Sequence, residues 1–336
     1  MSAAELRAVR ALTMLVAAGA IVAAAPHSSV AQEPVAVCAT VPVVGDACQK
    51  AIDILQFSAP QLGMLLVGGS ATPGQYQALG RPGSFSVNVR ATGARIDLPD
   101  VSELSVGIGT PVQSTIPTTR EWAAGPAIDA EIGIFGGIPL GLTRVGAVDL
   151  LGSAFYIPDV ETDNFSLNVD GSGFRFGGGV RVGIVQEGLA WPGVSVTYLN
   201  RGLPTLTVLA ETDQGDSLQV SDLSLRSDAL RLMVGKRVGF LGFMAGVGQD
   251  RYRTTARVSA QVDDFDMTFT FDPVEVEQKM TRTNFFGAVS LNFPVIRIVG
   301  EVGRVSGGSA STYNQFDSGD AARARTYMSV GLRAGI

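Results

Sequence analysis

The sequence predicts an all-β fold, an antiparallel transmembrane up-and-down β-barrel of about ten strands (twelve as the alternative) over residues 84–336. Three observations lead there. Apolar residues recur at every second position in segment after segment, charged residues share the opposite face, and short turns alternate with long polar connections. A strand points successive side chains to opposite faces. A membrane barrel needs lipid-facing apolar residues outside and tolerates a polar lumen.

Residues 1–31 read as a cleaved export signal. Arg7 and Arg10 supply a basic start, Ala11 to Ala25 is an apolar run, and Ser29-Val30-Ala31 suits cleavage before Gln32. The run is shorter than the about 20 residues a membrane helix needs and ends at Pro26. Without this leader the chain keeps 23 basic and 30 acidic residues and no histidine. That acidic balance argues against nucleic acid as a partner.

Residues 32–83 form a separate N-terminal segment. Cys38 and Cys48, the only cysteines, are expected to pair in an exported chain, stabilising it by about 2–3 kcal/mol through loop closure. A redox or metal pair is disfavoured, since the spacing is not CxxC and no histidine accompanies it. Asp46 is placed as the cap of a helix from Ala47 to Ser58, stopped by Pro60. Leu62 to Val67 is a brief apolar run before a Gly/Ser/Pro-rich loop. This segment has three candidate placements: the periplasmic rim, the lumen as a plug, or an additional strand.

From Ser84 the alternation persists. Phe85, Val87 and Val89 alternate with Ser86, Asn88 and Arg90; Ile128, Ala130 and Ile132 with Asp129, Glu131 and Gly133. The same pattern recurs at 174–184, 229–235, 241–248, 285–293 and 296–303, with weaker candidates near 140–157 and 190–210, where Asp149 sits awkwardly. Tight turns are expected near Gly137-Ile138-Pro139, Glu187-Gly188, Gly239 and Pro294. Long polar stretches fall at about 98–125, 158–172, 211–221, 262–279 and 307–323. The last strand alternates Met328, Val330, Leu332, Ala334 and Ile336 with Tyr327, Ser329, Gly331, Arg333 and Gly335.

Signal, alternation, turn asymmetry and closing strand together resemble the bacterial outer-membrane β-barrel class. The resemblance implies an outer-membrane location, contact with outer-membrane lipid and recognition by the barrel assembly machinery. Its assembly signal would comprise Tyr327, Val330, Leu332, Ala334 and Ile336, with Ile336 standing where the class usually has Phe. Residues 33–80 are similar, by analogy, to the N-terminal hatch of long-chain fatty-acid transporters, whose barrels are fourteen-stranded and longer.

The predicted lumen face collects Arg90, Arg175, Arg181, Arg231, Arg297 and Arg333 against Asp129, Glu131 and Glu301. Charges at membrane depth must face water or a partner. Such a wall suits either an anionic small solute or a structural Arg–carboxylate network that fills a narrow bore. Inward glycines, Gly177, Gly179, Gly183, Gly242, Gly246, Gly248, Gly331 and Gly335, leave room for curvature, for a ligand or for residues 33–80. The acidic runs Asp159-x-Glu161-x-Asp163 and Asp263-Asp264-x-Asp266 read as solvated loop charge rather than metal sites. Trp122, Trp191 and Tyr198 are candidates for interfacial aromatic girdles.

No catalytic residue, cofactor or metal is expected. Omptin-like proteases, outer-membrane phospholipase and the palmitoyl-transferring barrel depend on histidine, which the exported chain lacks. Asp129 and Glu131 as a hydrolytic carboxylate pair are better explained by pairing with lumen arginines. The leading functional expectation is a narrow or gated pore, or a binding barrel, for a small solute. The rival is a non-transporting structural or adhesive barrel closed by its ion pairs.

Overall fold

The computed structural model describes residues 33–41, 43–70, 72–162, 164–264, 267–308 and 310–335. The export signal, Asp163, Asp266 and Ile336 lie outside the described residues. Two helices, α1 (Ala36–Ala39) and α2 (Gly45–Val67), precede the strands. The strands are β1 (Phe85–Pro99), β2 (Thr115–Ile116), β3 (Thr118–Phe135), β4 (Ile138–Leu140), β5 (Thr143–Val145), β6 (Ala147–Tyr156), β7 (Val160–Thr162), β8 (Phe165–Val169) and β9 (Phe174–Val185). They continue as β10 (Gly193–Gly202), β11 (Leu206–Glu211), β12 (Ser217–Val238), β13 (Leu241–Asp264), β14 (Met267–Thr270), β15 (Val274–Asn292), β16 (Ile296–Ser306), β17 (Gln315–Phe316) and β18 (Arg325–Gly335).

The expected count of about ten strands, or twelve, is therefore corrected to eighteen among the described residues. Fourteen belong to one antiparallel sheet. The surplus comes from stretches read as polar connections. Residues 211–221 hold the end of β11 and the start of β12, and 262–279 hold β14 and the flanks of β13 and β15. Their Ser, Thr, Gln and Glu residues pair backbones without an apolar alternation to announce it. The loop expected at 98–125 shrinks to 100–117 for the same reason. The turn at Gly137 carries the small β4–β5 hairpin.

The longer strands pair with their neighbours in a circular order. Starting from β1, the partners run β3, β6, β9, β10, β12, β13, β15, β16 and β18, and β18 pairs back with β1 from Ser86↔Gly335 to Ala94↔Tyr327. Burial follows the period of two. On β18 the side chains from Arg325 to Ala334 alternate buried and exposed without a break. Exposed positions are apolar, as at Val89, Ile132, Leu232 and Val330, while Arg90, Glu131, Arg231 and Arg333 are buried. Asp149, awkward in sequence, takes a buried inward position on β6.

Helix α2 is longer than expected and runs through Pro60. A proline costs a helix one N–H and leaves the carbonyl four residues back without its partner. Here that carbonyl, Gln56 O, accepts from Gln278 Nε2 of β15 at 3.0 Å. The wall repairs what the sequence breaks. Asp46 is not the cap; it lies in the first turn and accepts from the backbone N–H groups of Gly107 (2.8 Å) and Val112 (3.0 Å). The expected disulfide joins Cys38 to Cys48.

The helix touches β1, β3, β10, β12, β13 and β15, and nearly all of its residues are buried. Its first half meets the long connections. Phe57 stacks on Phe316 at 3.9 Å, within an apolar cluster that includes Ile52, Ile116 and Val258. Each such side chain contributes about 1.5–3 kcal/mol of burial. Beyond α2 the chain continues to the short-turn end, where Gly83 N donates to Gly133 O.

Glycines on inward positions admit bulky partners. A Cβ on Gly303 would lie 2.1 Å from Tyr327 Oη, and one on Gly235 would lie 2.3 Å from the Tyr76 ring. Overpacking of this kind costs about 1–3 kcal/mol. Accordingly, G303A is expected to lower the free energy of unfolding by that amount, read as an earlier denaturation midpoint. An unchanged midpoint would show that Tyr327 is free to move aside.

Candidate functional site

The charged inner face of the sheet forms three tiers along α2 and the segment that follows it. Nearest the short turns, Glu131 on β3 accepts from Arg181 Nη1 (2.5 Å), from Arg333, from Ser86 Oγ (2.7 Å) and from Thr72 Oγ1 (3.3 Å). Arg181 also donates to Thr72 and lies 3.9 Å from Asp149. Asp149 accepts the N–H of Leu79 at 3.0 and 3.1 Å. Gln75 accepts from Arg333 and from Arg297 (3.2 Å), so residues 72–79 are tied to the wall on several sides.

In the middle tier Asp129 accepts from Arg90 (2.8 Å) and Arg201 (2.5 Å). Arg231 pairs with Asp250 at 2.5 Å and also donates to Val67 O and Gly69 O at the end of α2. The last carbonyls of a helix carry negative partial charge and lack intrahelical donors, so a guanidinium satisfies both needs. Glu301 takes the other side of this junction, accepting Ser70 N–H at 3.0 Å.

The outer tier centres on Asp97, which accepts from Arg120 (2.9 Å), Arg323 (2.7 Å) and Arg325 (2.6 Å). Gln61 of α2 makes two bonds to the Asp97 backbone, both 2.8 Å. Arg282 holds the outer connection through Gly307 O, Ala322 O and Arg323 O. Above it, Asp53 accepts from Tyr313 N and from both nitrogens of Asn314. Burial pushes the Asp53 carboxyl above its ordinary value, opposed by those donors. Burial, reinforced by its bond to Glu187, raises the Tyr76 phenol.

Of the lumen residues expected from sequence, Arg90, Asp129, Glu131, Arg181, Arg231, Glu301 and Arg333 are buried, and Arg175 and Arg297 are half-buried. Arg175 borders a gap beside Arg90 and Arg201 that is too narrow to admit water. Sequence reasoning missed Asp97, Asp149, Arg201, Asp250, Arg282 and Arg325. Asp250 and Arg282 continue the inward parity of Gly248 and Asn284, so extending the alternation would have found them. Arg201 hides behind the inward apolar Leu199. Asp97 has no such signal, because the burial parity shifts between Ile96 and Asp97.

Within the proposed assembly stretch, Tyr327 points inward and donates to Asn284 Oδ1 at 2.9 Å, while Val330, Leu332 and Ala334 face outward. Trp122, Trp191 and Tyr198 are exposed, and Arg95 stacks over Trp122 at 5.3 Å. Asp159 accepts Val169 N–H and Asp216 accepts Asp263 N–H, so these loop acids serve the backbone.

No family model matches the chain, and no curated protein matches it. It is similar to a solved outer membrane channel from Pseudomonas putida F1, at 10% identity with a TM-score of 0.34, covering 79% of this chain and 99% of that one. It is also similar to Ail, the attachment invasion locus protein of Yersinia pestis (9% identity, TM-score 0.28, 76% of this chain and 100% of that one). Neisserial surface protein A is a third (10% identity, TM-score 0.27, 74% and 96%). Channel and attachment protein stand side by side in that set, and with every TM-score under 0.5 the likeness does not decide between them.

Removing one partner of a buried ion pair leaves the other charge uncompensated, at about 3–5 kcal/mol. E131Q is therefore expected to lower unfolding stability in detergent by that amount, because both Arg181 and Arg333 lose their carboxylate. E275Q, on an exposed position, is the control and should stay within about 0.5 kcal/mol. Equal effects would show that the interior pairs are not desolvated.

Proposed function

We propose that this chain is an outer-membrane β-barrel whose ten long strands cross the bilayer and whose lumen is sealed at rest by residues 33–83. Along the part of each long strand nearest the short turns, apolar residues face outward and charges face inward, the arrangement that lipid outside and polar groups inside demand. A tilted strand needs about 9–11 residues to cross. β6 and β10 have 10, whereas β12, β13 and β15 have 22, 24 and 19 and would project beyond the membrane.

The observation that carries the sealed reading is the filled interior. Phe57, Met64 and Leu66 of α2 are fully buried, as are Arg181 and Arg282 on the wall. The charge balance agrees. Seven buried wall arginines (90, 181, 201, 231, 282, 325 and 333) stand against six buried carboxylates (97, 129, 131, 149, 250 and 301). A wall built to attract anions would leave its arginines uncompensated. These are spent on carboxylates and backbone carbonyls, which favours the structural role over the open pore. The outer connections, fastened to α2 through Asp46 and Asp53, would then be the face presented to the surroundings.

A gated barrel is the second reading. It is favoured by a cavity of about 230 Å³ at the short-turn mouth, lined by Arg297, Arg333, Gln75 and Ser86. There a small anionic solute would meet the segment that has to move.

Planar-bilayer recording on the full chain tests the proposal. The expected result is no steady conductance at moderate voltage, alongside a mobility shift between boiled and unboiled samples in detergent gels. Steady current from unmodified protein would overturn the sealed reading. Identical mobility of the two samples would overturn the barrel reading itself.

A further inference from the structure

We propose that the outward face of β12, β13, β15 and β16 binds the phosphate groups of lipid headgroups in the outer leaflet. This inference rests on the transmembrane reading above. Just past the apolar wall, the register sets cations side by side across neighbouring strands. Arg226 on β12 faces Arg253 on β13, which faces Lys279 on β15. One row closer to the wall, Asp228 faces Arg251, which faces Thr281. On β16, Arg304 sits beside Phe285. All five cations point outward and are exposed.

Their carboxylate neighbours are few. Glu277 serves both Arg253 (3.4 Å) and Lys279 (2.9 Å). Asp228 accepts from Tyr198 Oη and Asn200 and attracts Arg251 and Arg253 without closing an ion pair. Farther out, Arg257 pairs with Asp222 and Glu275. Among the described residues, Arg226, Arg251 and Arg304 have no ion-pair partner within 4.0 Å. The surplus is local and positive on a chain whose overall charge is −6.

Depth selects the partner. Outward positions on one strand repeat every two residues, about 7 Å along the strand and roughly 5 Å along the normal at a 45° tilt. The rows of Arg251 and Arg226 therefore lie about 5 and 10 Å beyond Leu230, within or at the edge of the headgroup region. The side built from β3, β6 and β9 carries aromatic residues at its long-connection end: Trp122, Tyr156 and Phe174. An anion held on the basic side would arrive with its acyl chains against Leu230, Leu232, Val247 and Phe285, which no soluble polyanion supplies. Guanidinium groups suit phosphate through paired N–H donors.

The test uses the full chain in mild detergent, with diphosphoryl lipid A and its dephosphorylated form as probes and native mass spectrometry as the readout. Wild type is expected to retain the phosphorylated lipid at least tenfold more tightly. R226Q/R251Q/R304Q should lose that preference while keeping its heat-dependent mobility. Should that variant fail to fold, D228N/E277Q should tighten binding of the phosphorylated lipid severalfold. Equal retention of the two lipids by wild type overturns the proposal, as does undiminished binding by the folded triple variant or no gain from D228N/E277Q. So does a soluble sulfated polysaccharide or inorganic phosphate that competes the lipid away at equal phosphate or sulfate concentration. Loss of heat-dependent mobility in wild type would instead sink the barrel reading, so the two failures are distinguishable.

Discussion

Glu131 holds together the parts of this molecule that are farthest apart in sequence. Its two oxygens receive Arg181 from β9, Arg333 and Ser86 from the last and first strands, and Thr72 from the segment after α2. The β1–β18 pairing is thus backed by a side-chain clasp just inside it. Desolvating one carboxylate and two guanidiniums is expensive. The cost is offset because hydroxyl donors complete the carboxylate's set while hydroxyl and amide oxygens accept from the two guanidiniums. Every other tier repeats this solution with different residues.

That constraint explains why a helix can sit among so many charges. Inward arginines need acceptors, and α2 ends where acceptors are richest, at the carbonyls of Val67 and Gly69. Glu301 needs a donor and finds the next free N–H, that of Ser70. Helix and wall complete each other's hydrogen bonds, as Gln278 does for the carbonyl that Pro60 leaves open. Apolar packing takes over toward the long connections, where Phe57, Ile116 and Phe316 are buried together.

Small and large residues are matched in the same spirit. The space inside Gly303 belongs to Tyr327, that inside Gly235 to Tyr76, and that inside Gly246 to Phe286. Inward glycines had suggested room for curvature, ligand or plug. Beside Gly246 and Gly303 aromatic side chains of the wall fill the room, and beside Gly235 Tyr76 of the N-terminal segment does. At the long-connection end the outside is two-sided in chemistry, aromatic on β3, β6 and β9 and basic on β12, β13, β15 and β16.

By itself the sequence determined the all-β class, the two faces of the long strands, the positions of the short turns and the cysteine pair. Each rests on nearest-neighbour geometry: period-two alternation, turn chemistry and loop length are legible along one chain. Tertiary structure alone decided that α2 passes through Pro60 and that polar stretches at 211–221 and 262–279 pair as strands. It alone matched the buried arginines to their acceptors. The polar stretches pair in local hairpins, whereas the helix through Pro60 and the Arg333 clasp depend on groups more than two hundred residues apart. Gln278 rescues a proline at position 60, and Arg333 meets Ser86 and Glu131, only because pairing carries the last strand back to the first.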